Sequence, residues 1–371
     1  MEDLDVTPPA PATPAPDRAA FWRGRRVLLT GHTGFKGAWL ALWLLRLGAD
    51  VTGFALAAPP TALYAKARLD DHVASLLGDV RDPDAVTRAV RAADPQVLLH
   101  LAAQPLVRRS YAEPVATYAT NVMGTVHLLD AARAAAPRLE AAVVVTSDKC
   151  YDNRDPAHAP AGGYREDAPL GGGDPYSSSK GAAELVTAAY RSSFFSAPGT
   201  ARVATARAGN VIGGGDHAED RLVPDLVRAI AAGRPVALRH PDAIRPWQHV
   251  LDCLDGYLTL AERLAADQSH RLAGAYNFGP PPEDARTVAW IADRLCAAWG
   301  DGASWRADPG PHPAEAHTLR LDSTRAHQEL GWRPRWDLPQ ALDRIVAWHR
   351  ADAAGADARE FTLGQLAAFA A

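Results

Sequence analysis

The chain has 371 residues, 47% hydrophobic and 22% charged, with 39 Lys and Arg against 43 Asp and Glu and a formal net charge of −4. That balance excludes the large basic surplus that non-specific nucleic-acid binding needs, and the length suits one large or two ordinary globular domains. No run of about 18 uncharged apolar residues is present, so no membrane-spanning helix is expected. From Met1 to Asp17 the sequence is acidic and then rich in Pro and Ala, without the basic start and apolar middle of a secretory signal. Residues 1–20 therefore read as a disordered tail. Cys150, Cys253 and Cys296 lack metal-ligand spacing, and the His residues form no His-x-x-x-His pair, so no metal site is expected and a reducing cytosol is the simplest home.

From Arg26 onward the pattern becomes regular. An apolar run, Val27 to Thr30, is followed by a glycine-rich turn and then by Ala38, Ala41, Leu42 and Leu45 at helical spacing, which predicts strand, turn and helix. Gly48 stops that helix, and a second strand is expected over Val51 to Leu56. Val97 to Leu101, Ala142 to Thr146 and Val203 to Ala206 are short, apolar and unalternating, as strands covered by helices on both faces should be. Helices are predicted between them over Pro83 to Ala93, Val115 to Ala136 and Gly181 to Phe194. Such alternation implies an α/β fold of the Rossmann type, with a doubly wound parallel sheet. After Gly209 the rhythm loosens around helices at Val223 to Ala232 and Asp252 to Ala266. The expectation is a dinucleotide-binding domain over residues 21–208 and a smaller C-terminal substrate-binding lobe over 209–371, with some segments returning to the first domain. Trp332, Trp336 and Trp348 read as core of that lobe, and His249, His312 and His317 as structural histidines.

Chemistry concentrates at the predicted strand ends, where doubly wound sheets bind ligands. The turn after the first strand reads Gly31-His32-Thr33-Gly34-Phe35-Lys36-Gly37. Its glycines let backbone approach a pyrophosphate, and the helix that follows offers free N–H groups to that charge. After the second strand, Gly53 to Ala58 holds neither the acid that binds a ribose diol nor a base for a 2′-phosphate, which points to NAD rather than NADP. Asp79, in Gly78-Asp79-Val80, reads either as an adenine contact or as a turn residue. Tyr176-Ser-Ser-Ser-Lys180 puts a phenol and an ammonium on one helical face. A free tyrosine holds its proton to a pH of about 10, so it becomes a base near neutrality only if cations such as Lys180 and an oxidised nicotinamide stabilise its anion. Ser147-Asp148-Lys149 supplies a hydroxyl, an acid and an amine at another strand end. Arg221 and Arg245 read either as diphosphate ligands or as surface arginines.

Together, Gly31 to Gly37, Leu101-Ala102-Ala103-Gln104-Pro105, Asn121-Val122-Met123-Gly124-Thr125, Thr146 to Tyr151, Tyr176 to Lys180 and Arg207 to Asp216 resemble the extended short-chain dehydrogenase/reductases. Within them the chain is similar to the nucleotide-sugar 4,6-dehydratases of the CDP-glucose branch, from about Phe21 to the C terminus. Related dehydratases carry Asp-Glu where this sequence has Asp148-Lys149. The resemblance implies CDP-glucose as substrate and a recycled NAD. Tyr176, Lys180 and Ser147 would act at the sugar C4, Asp148 as acid at the 6-hydroxyl, and Lys149 either as base at C5 or as a cation beside the enolate. It also implies cofactor contacts from residues 31–37, Asp79, Val80, Leu101, Ala102, Ala103, Thr146, Tyr176 and Lys180, and substrate contacts from Gln104, Asn210, Arg221 and Arg245. A cytoplasmic homodimer or homotetramer is implied as well, joined through a four-helix interface built from the 115–136 and 181–194 helices. A nucleotide-sugar epimerase, or a non-catalytic NAD-binding regulator, would share the fold.

Overall fold

The computed structural model describes residues 17–153, 160–300, 302–310 and 319–371. The first half of the chain holds α1 (Arg18–Trp22), β1 (Arg26–Thr30), α2 (Phe35–Arg46), β2 (Asp50–Ala55), α3 (Leu63–Lys66), β3 (Ala74–Leu77), α4 (Pro83–Ala93) and β4 (Val97–His100). There follow α5 (Val107–Ala112), α6 (Pro114–Tyr118), α7 (Gly124–Ala135), β5 (Ala141–Val145), α8 (Pro175–Phe194), β6 (Arg202–Ala208) and β7 (Asn210–Ile212). The remainder is α9 (Leu222–Ala231), β8 (Val236–Leu238), β9 (Ile244–His249), α10 (Val250–Ala266), β10 (Ala275–Phe278), β11 (Ala285–Thr287), α11 (Val288–Trp299), β12 (Trp305–Ala307), α12 (Leu338–Ala353) and α13 (Ala358–Ala370).

Seven strands form one parallel sheet in the order β10-β6-β5-β4-β1-β2-β3. Its central strands are apolar throughout because both faces are covered, and successive side chains enter opposite cores. Val27, Leu29, Val97, Leu99, Ala141 and Val143 belong to one core, while Leu28, Leu98, Ala142 and Val144 belong to the other. The winding direction reverses between β1 and β4, which opens a crevice at the carboxyl ends of the strands. The lobe has its own small core, with Val223, Leu226, Leu238, Trp247, Ile291 and Leu342 among its members. Two further sheets shape it, β11-β9-β7 and β12-β8.

Several expectations are corrected here. Met1–Pro16 lie outside the described residues; residues 17–20 of the expected tail belong to the start of α1, which the Asp17 side chain caps. Arg18 then anchors that helix to Asp255 (2.5 Å) and Glu262 (2.8 Å) on α10. Edge strand β3, only half-buried, carries too little apolar pattern to be read from sequence. Beyond residue 209, β10 is an edge strand of the large sheet, and α10 packs on β5 and β6. The helix expected over 115–136 is interrupted by a wide π-type turn at Ala119–Met123. Trp332 and Trp348 are buried in the sheet-side core rather than the lobe core, and Trp336 packs against the same cluster. Gly214 must lack a side chain because a Cβ there would lie 2.1 Å from the Trp348 ring. His249 is structural as expected, fully buried between Trp39 and Trp336 and capping α10 through Leu251 N–H. His312 and His317 lie outside the described residues. None of the described helices is long and apolar enough to cross a membrane.

Candidate active site

A cleft of about 680 Å³ runs along the carboxyl ends of the strands and under the lobe. It is lined by Gly31, Thr33, Gly34, Phe35, Lys36, Gly37, Asp79, Val80, Leu101, Ala102, Ala103, Gln104, Thr146, Ser147, Asp148, Lys149, Tyr176, Lys180, Asn210, Arg221 and Arg245. Four strand ends, those of β1, β4, β5 and β6, thus converge residues that are far apart in sequence.

The glycine turn is built for close backbone approach. Gly31 has φ +74°, and a Cβ on it would lie 2.7 Å from Ala102 N; one on Gly37 would lie 2.0 Å from Gly31 O. Gly34 caps α2 with no side-chain hydrogen bond, so the amides of the first turn stay available to an anion. These features fit a dinucleotide pyrophosphate. His32 is the exception among the expected cofactor residues. It does not line the cleft, because its ring is buried against Gly53 and bonded to Ser75 Oγ at 2.8 Å. Burial lowers its pKa to about 4, so it stays neutral. Where an acid normally meets the ribose, the cleft wall is Ala55 and Leu56. Asp79 holds Arg81, which also lines the cleft, at 2.6 Å. That hydrogen bond keeps the Asp79 carboxyl below its ordinary range.

Asp174 and Pro175 start α8, with the Asp174 carboxylate accepting from Ser177 N–H at 2.9 Å. Tyr176, Lys180 and Glu184 then recur every four residues and are all buried. Burial raises Tyr176 to about 12, while the neighbouring Ser147 hydroxyl and the charge of Arg221 pull it back. Lys180 donates to Val145 O at 3.3 Å, and burial, then the nearby Lys36 cation, bring it down to about 8. By itself the pair keeps the phenol protonated at neutral pH; a further positive charge beside it favours the phenolate. Behind Lys180, the Glu184 carboxylate accepts from Thr146 Oγ1, from Thr205 Oγ1 at 2.7 Å and from Arg207 Nη2 at 2.8 Å. This ties α8 to the ends of β5 and β6.

Ser147 caps a short turn, Asp148–Cys150, accepting from Lys149 N–H at 3.2 Å. It donates to Asp148 Oδ1 at 2.9 Å, while Oδ2 is buried without a partner. Burial raises the Asp148 pKa against the opposing charges of Lys149 and Arg245. A buried carboxyl with a raised pKa, beside an amine, supplies the two partners of an acid–base couple.

At the lobe side of the cleft, Arg245 is only 4% exposed, which removes the surface-arginine reading. Arg221 is half-exposed and 3.7 Å from Asp216. Gln104 lines the cleft and also braces its own loop. Its amide donates to Leu106 O (3.1 Å) and Thr117 Oγ1 (3.0 Å), and its oxygen accepts from Leu106 N–H (2.6 Å). Asn121, in the π-type turn, locks this loop to α8 by accepting from Gln104 N–H and donating to Gln104 O and Ser179 Oγ. Sequence reasoning did not single out the cleft residues Arg108, Asp220 and Arg239. They come from helix α5 and from two separate connections, and carry no local motif.

Residues 28–345 match the family model described as GDP-mannose 4,6 dehydratase. A CDP-glucose 4,6-dehydratase from Salmonella typhimurium is 50% identical over 342 residues, 91% of this chain and 94% of the relative. A dTDP-glucose 4,6-dehydratase from Streptomyces griseus is 30% identical, covering 87% of this chain and 93% of the relative. Among solved structures, the dTDP-glucose 4,6-dehydratase from Streptomyces venezuelae, crystallised with NAD, superposes with a TM-score of 0.75. It is 26% identical and covers 90% of this chain and 99% of its own.

Proposed function

The chain belongs to the GDP-mannose 4,6-dehydratase family, and on that premise we propose that it is a CDP-glucose 4,6-dehydratase. It is an NAD-dependent hydro-lyase that converts CDP-D-glucose to CDP-4-dehydro-6-deoxy-D-glucose and water. The observation that carries this reading is the buried Asp148, its pKa raised, beside Lys149 in the same cleft as Tyr176 and Lys180. An epimerase on this fold needs only the tyrosine and lysine; elimination of water across C5 and C6 needs an acid as well.

NAD, when bound, supplies a reversible acceptor for the hydrogen at C4 that is later delivered to C6. The glycine turn and the amide end of α2 would hold its pyrophosphate, and Lys180 and Tyr176 would lie towards its nicotinamide. Tyr176, its anion stabilised by Lys180 and by the neighbouring Ser147 hydroxyl, removes the proton of the 4-hydroxyl as that carbon is oxidised. The ketone acidifies C5–H. Lys149 stands at that step either as the base that takes the C5 proton or as the cation beside the developing enolate oxygen while another group takes that proton; the proton returns to C5 when C6 is reduced. Asp148 donates its proton to the departing 6-hydroxyl. Arg221, Arg245 and Asn210 hold the diphosphate and sugar.

The test is incubation of the purified protein with CDP-glucose, dTDP-glucose, UDP-glucose and GDP-mannose, with and without added NAD, following the alkali-induced absorbance of 4-keto sugars. Turnover confined to CDP-glucose is expected. Absence of keto sugar from all four, with folded protein and bound NAD verified, overturns the dehydratase reading in favour of the epimerase.

The chain also leaves apolar side chains exposed on neighbouring helices: Val115 (81%), Leu185 (62%), Phe194 (48%), Met123 (45%) and Tyr118 (38%). Such a patch is covered when two copies pack these helices into a four-helix interface, supporting a homodimer or homotetramer, and light scattering on the purified protein tests it. Free Cys150, Cys253 and Cys296 suit a reducing, cytoplasmic setting.

A further inference from the structure

At the edge of the cleft, one carboxylate oxygen holds two arginines that come from different parts of the fold. Asp220, in the connection between β7 and α9, accepts at Oδ1 from Arg108 Nη1 at 2.8 Å and from Arg239 Nη1 at 3.1 Å. Arg108 is on α5 of the sheet domain, and Arg239 follows β8 of the lobe. Arg239 Nη2 also donates to the Asp220 carbonyl at 3.4 Å. All three residues line the cleft that holds Arg221 and Arg245.

Three features suit this cluster to exchanging its carboxylate for another anion. First, a single oxygen shared by two guanidinium groups from opposite sides is how such forks grip a phosphate oxygen. Second, Asp220 has φ +58°, a left-handed conformation that costs a non-glycine residue energy, though Asp and Asn tolerate it best. Third, the side chains are 51% (Arg108), 24% (Arg239) and 35% (Asp220) exposed, so the bonds are solvated and weak enough to be exchanged. Two guanidinium charges against one carboxylate leave a net positive charge in the cleft.

We propose that Arg108 and Arg239 form a phosphate-gripping subsite whose place Asp220 holds as an internal carboxylate, and that the diphosphate of the nucleotide substrate displaces Asp220 from it. The inference rests on the nucleotide-sugar reading above and adds two phosphate ligands, one from each wall, to Arg221 and Arg245. Closing both walls on one anion also draws lobe and sheet domain together over the sugar.

The test is calorimetric titration of the NAD-loaded protein and its Asp220→Asn variant with CDP, inorganic pyrophosphate and cytidine. Asn keeps the left-handed backbone and the side-chain size while removing the competing charge. Asp220→Asn should bind CDP and pyrophosphate about three- to tenfold more tightly, the scale of one or two solvated ion pairs, with cytidine unchanged. Adding Arg239→Ala should abolish the gain. Weaker or unchanged CDP binding in Asp220→Asn overturns the proposal, as does an equal gain for cytidine. If Asp220→Asn does not fold, Arg239→Ala alone decides: CDP and pyrophosphate affinity must fall with cytidine unchanged, and unaltered affinities overturn the subsite. No turnover is needed, so a protein that fails to form keto sugar yet shows the pyrophosphate gain loses the proposed function and keeps the subsite.

Discussion

Replacing Asp148 by Asn separates the two halves of the proposed reaction. The amide matches the carboxyl in shape and still accepts from Ser147 Oγ, and the buried Oδ2 has no hydrogen bond to lose. What disappears is a transferable proton. General acid catalysis contributes about 10²- to 10⁴-fold, which at about 1.36 kcal/mol per tenfold is about 3–5 kcal/mol of barrier. Keto-sugar formation from CDP-glucose should fall by that factor. Oxidation at C4 relies on Tyr176 and Lys180 instead, so the variant should accumulate reduced nicotinamide, read by its near-ultraviolet absorbance. Stability should move the other way. Burial raises the Asp148 pKa in the fold, so as pH climbs past the ordinary carboxyl range the unfolded chain releases this proton first and native stability falls. An Asn cannot titrate, so the variant should melt at or above the wild-type temperature at neutral pH. Wild-type turnover would refute the assignment of Asp148 as the acid, and so would loss of the reduced-nicotinamide signal together with turnover in a folded variant.

Three further outcomes are expected. Gly37→Ala puts a methyl group 2.0 Å from Gly31 O, so it should destabilise the turn by about 1–3 kcal/mol and abolish NAD binding, measured by protein fluorescence quenching. Glu184→Gln leaves the Arg207 guanidinium, 4% exposed, without its charged partner. A broken buried pair costs about 3–5 kcal/mol, and adding Arg207→Met should restore part of the melting temperature. The buried His100 and His249, lowered to about 3, and His32 and His349, lowered to about 4, all bind protons less readily in the fold than in the unfolded chain. Stability should therefore fall as pH drops below about 6.5, the ordinary histidine value, and continue falling towards these lowered values; calorimetric scans between neutral and mildly acidic pH show it, and a flat melting temperature contradicts it.

Short-range patterns carried much of the architecture. The unbroken Val and Leu runs of β1, β4 and β5 state that both faces are covered, the Gly31 to Gly37 spacing marks a turn that backbone must approach, and Tyr176 with Lys180 share a face through helical periodicity alone. Each follows from residues within a few positions of one another. Edge strand β3 escaped because half its side chains meet water, and the wide turn at Asn121 because its cause lies in Gln104 and Ser179, which sit on other elements. The same holds for side-chain fates at the site. Nothing near His32 in sequence reveals that Gly53 and Ser75 enclose its ring, or that Leu106 and Thr117 take up the amide of Gln104. Arg108 and Arg239 stand 131 positions apart by number and meet only because the lobe folds back over α5. Local periodicity decides which residues share a strand or a helical face; where a polar side chain finds its partner depends on elements brought together from across the chain, since a buried donor or acceptor must be satisfied by whatever packs against it.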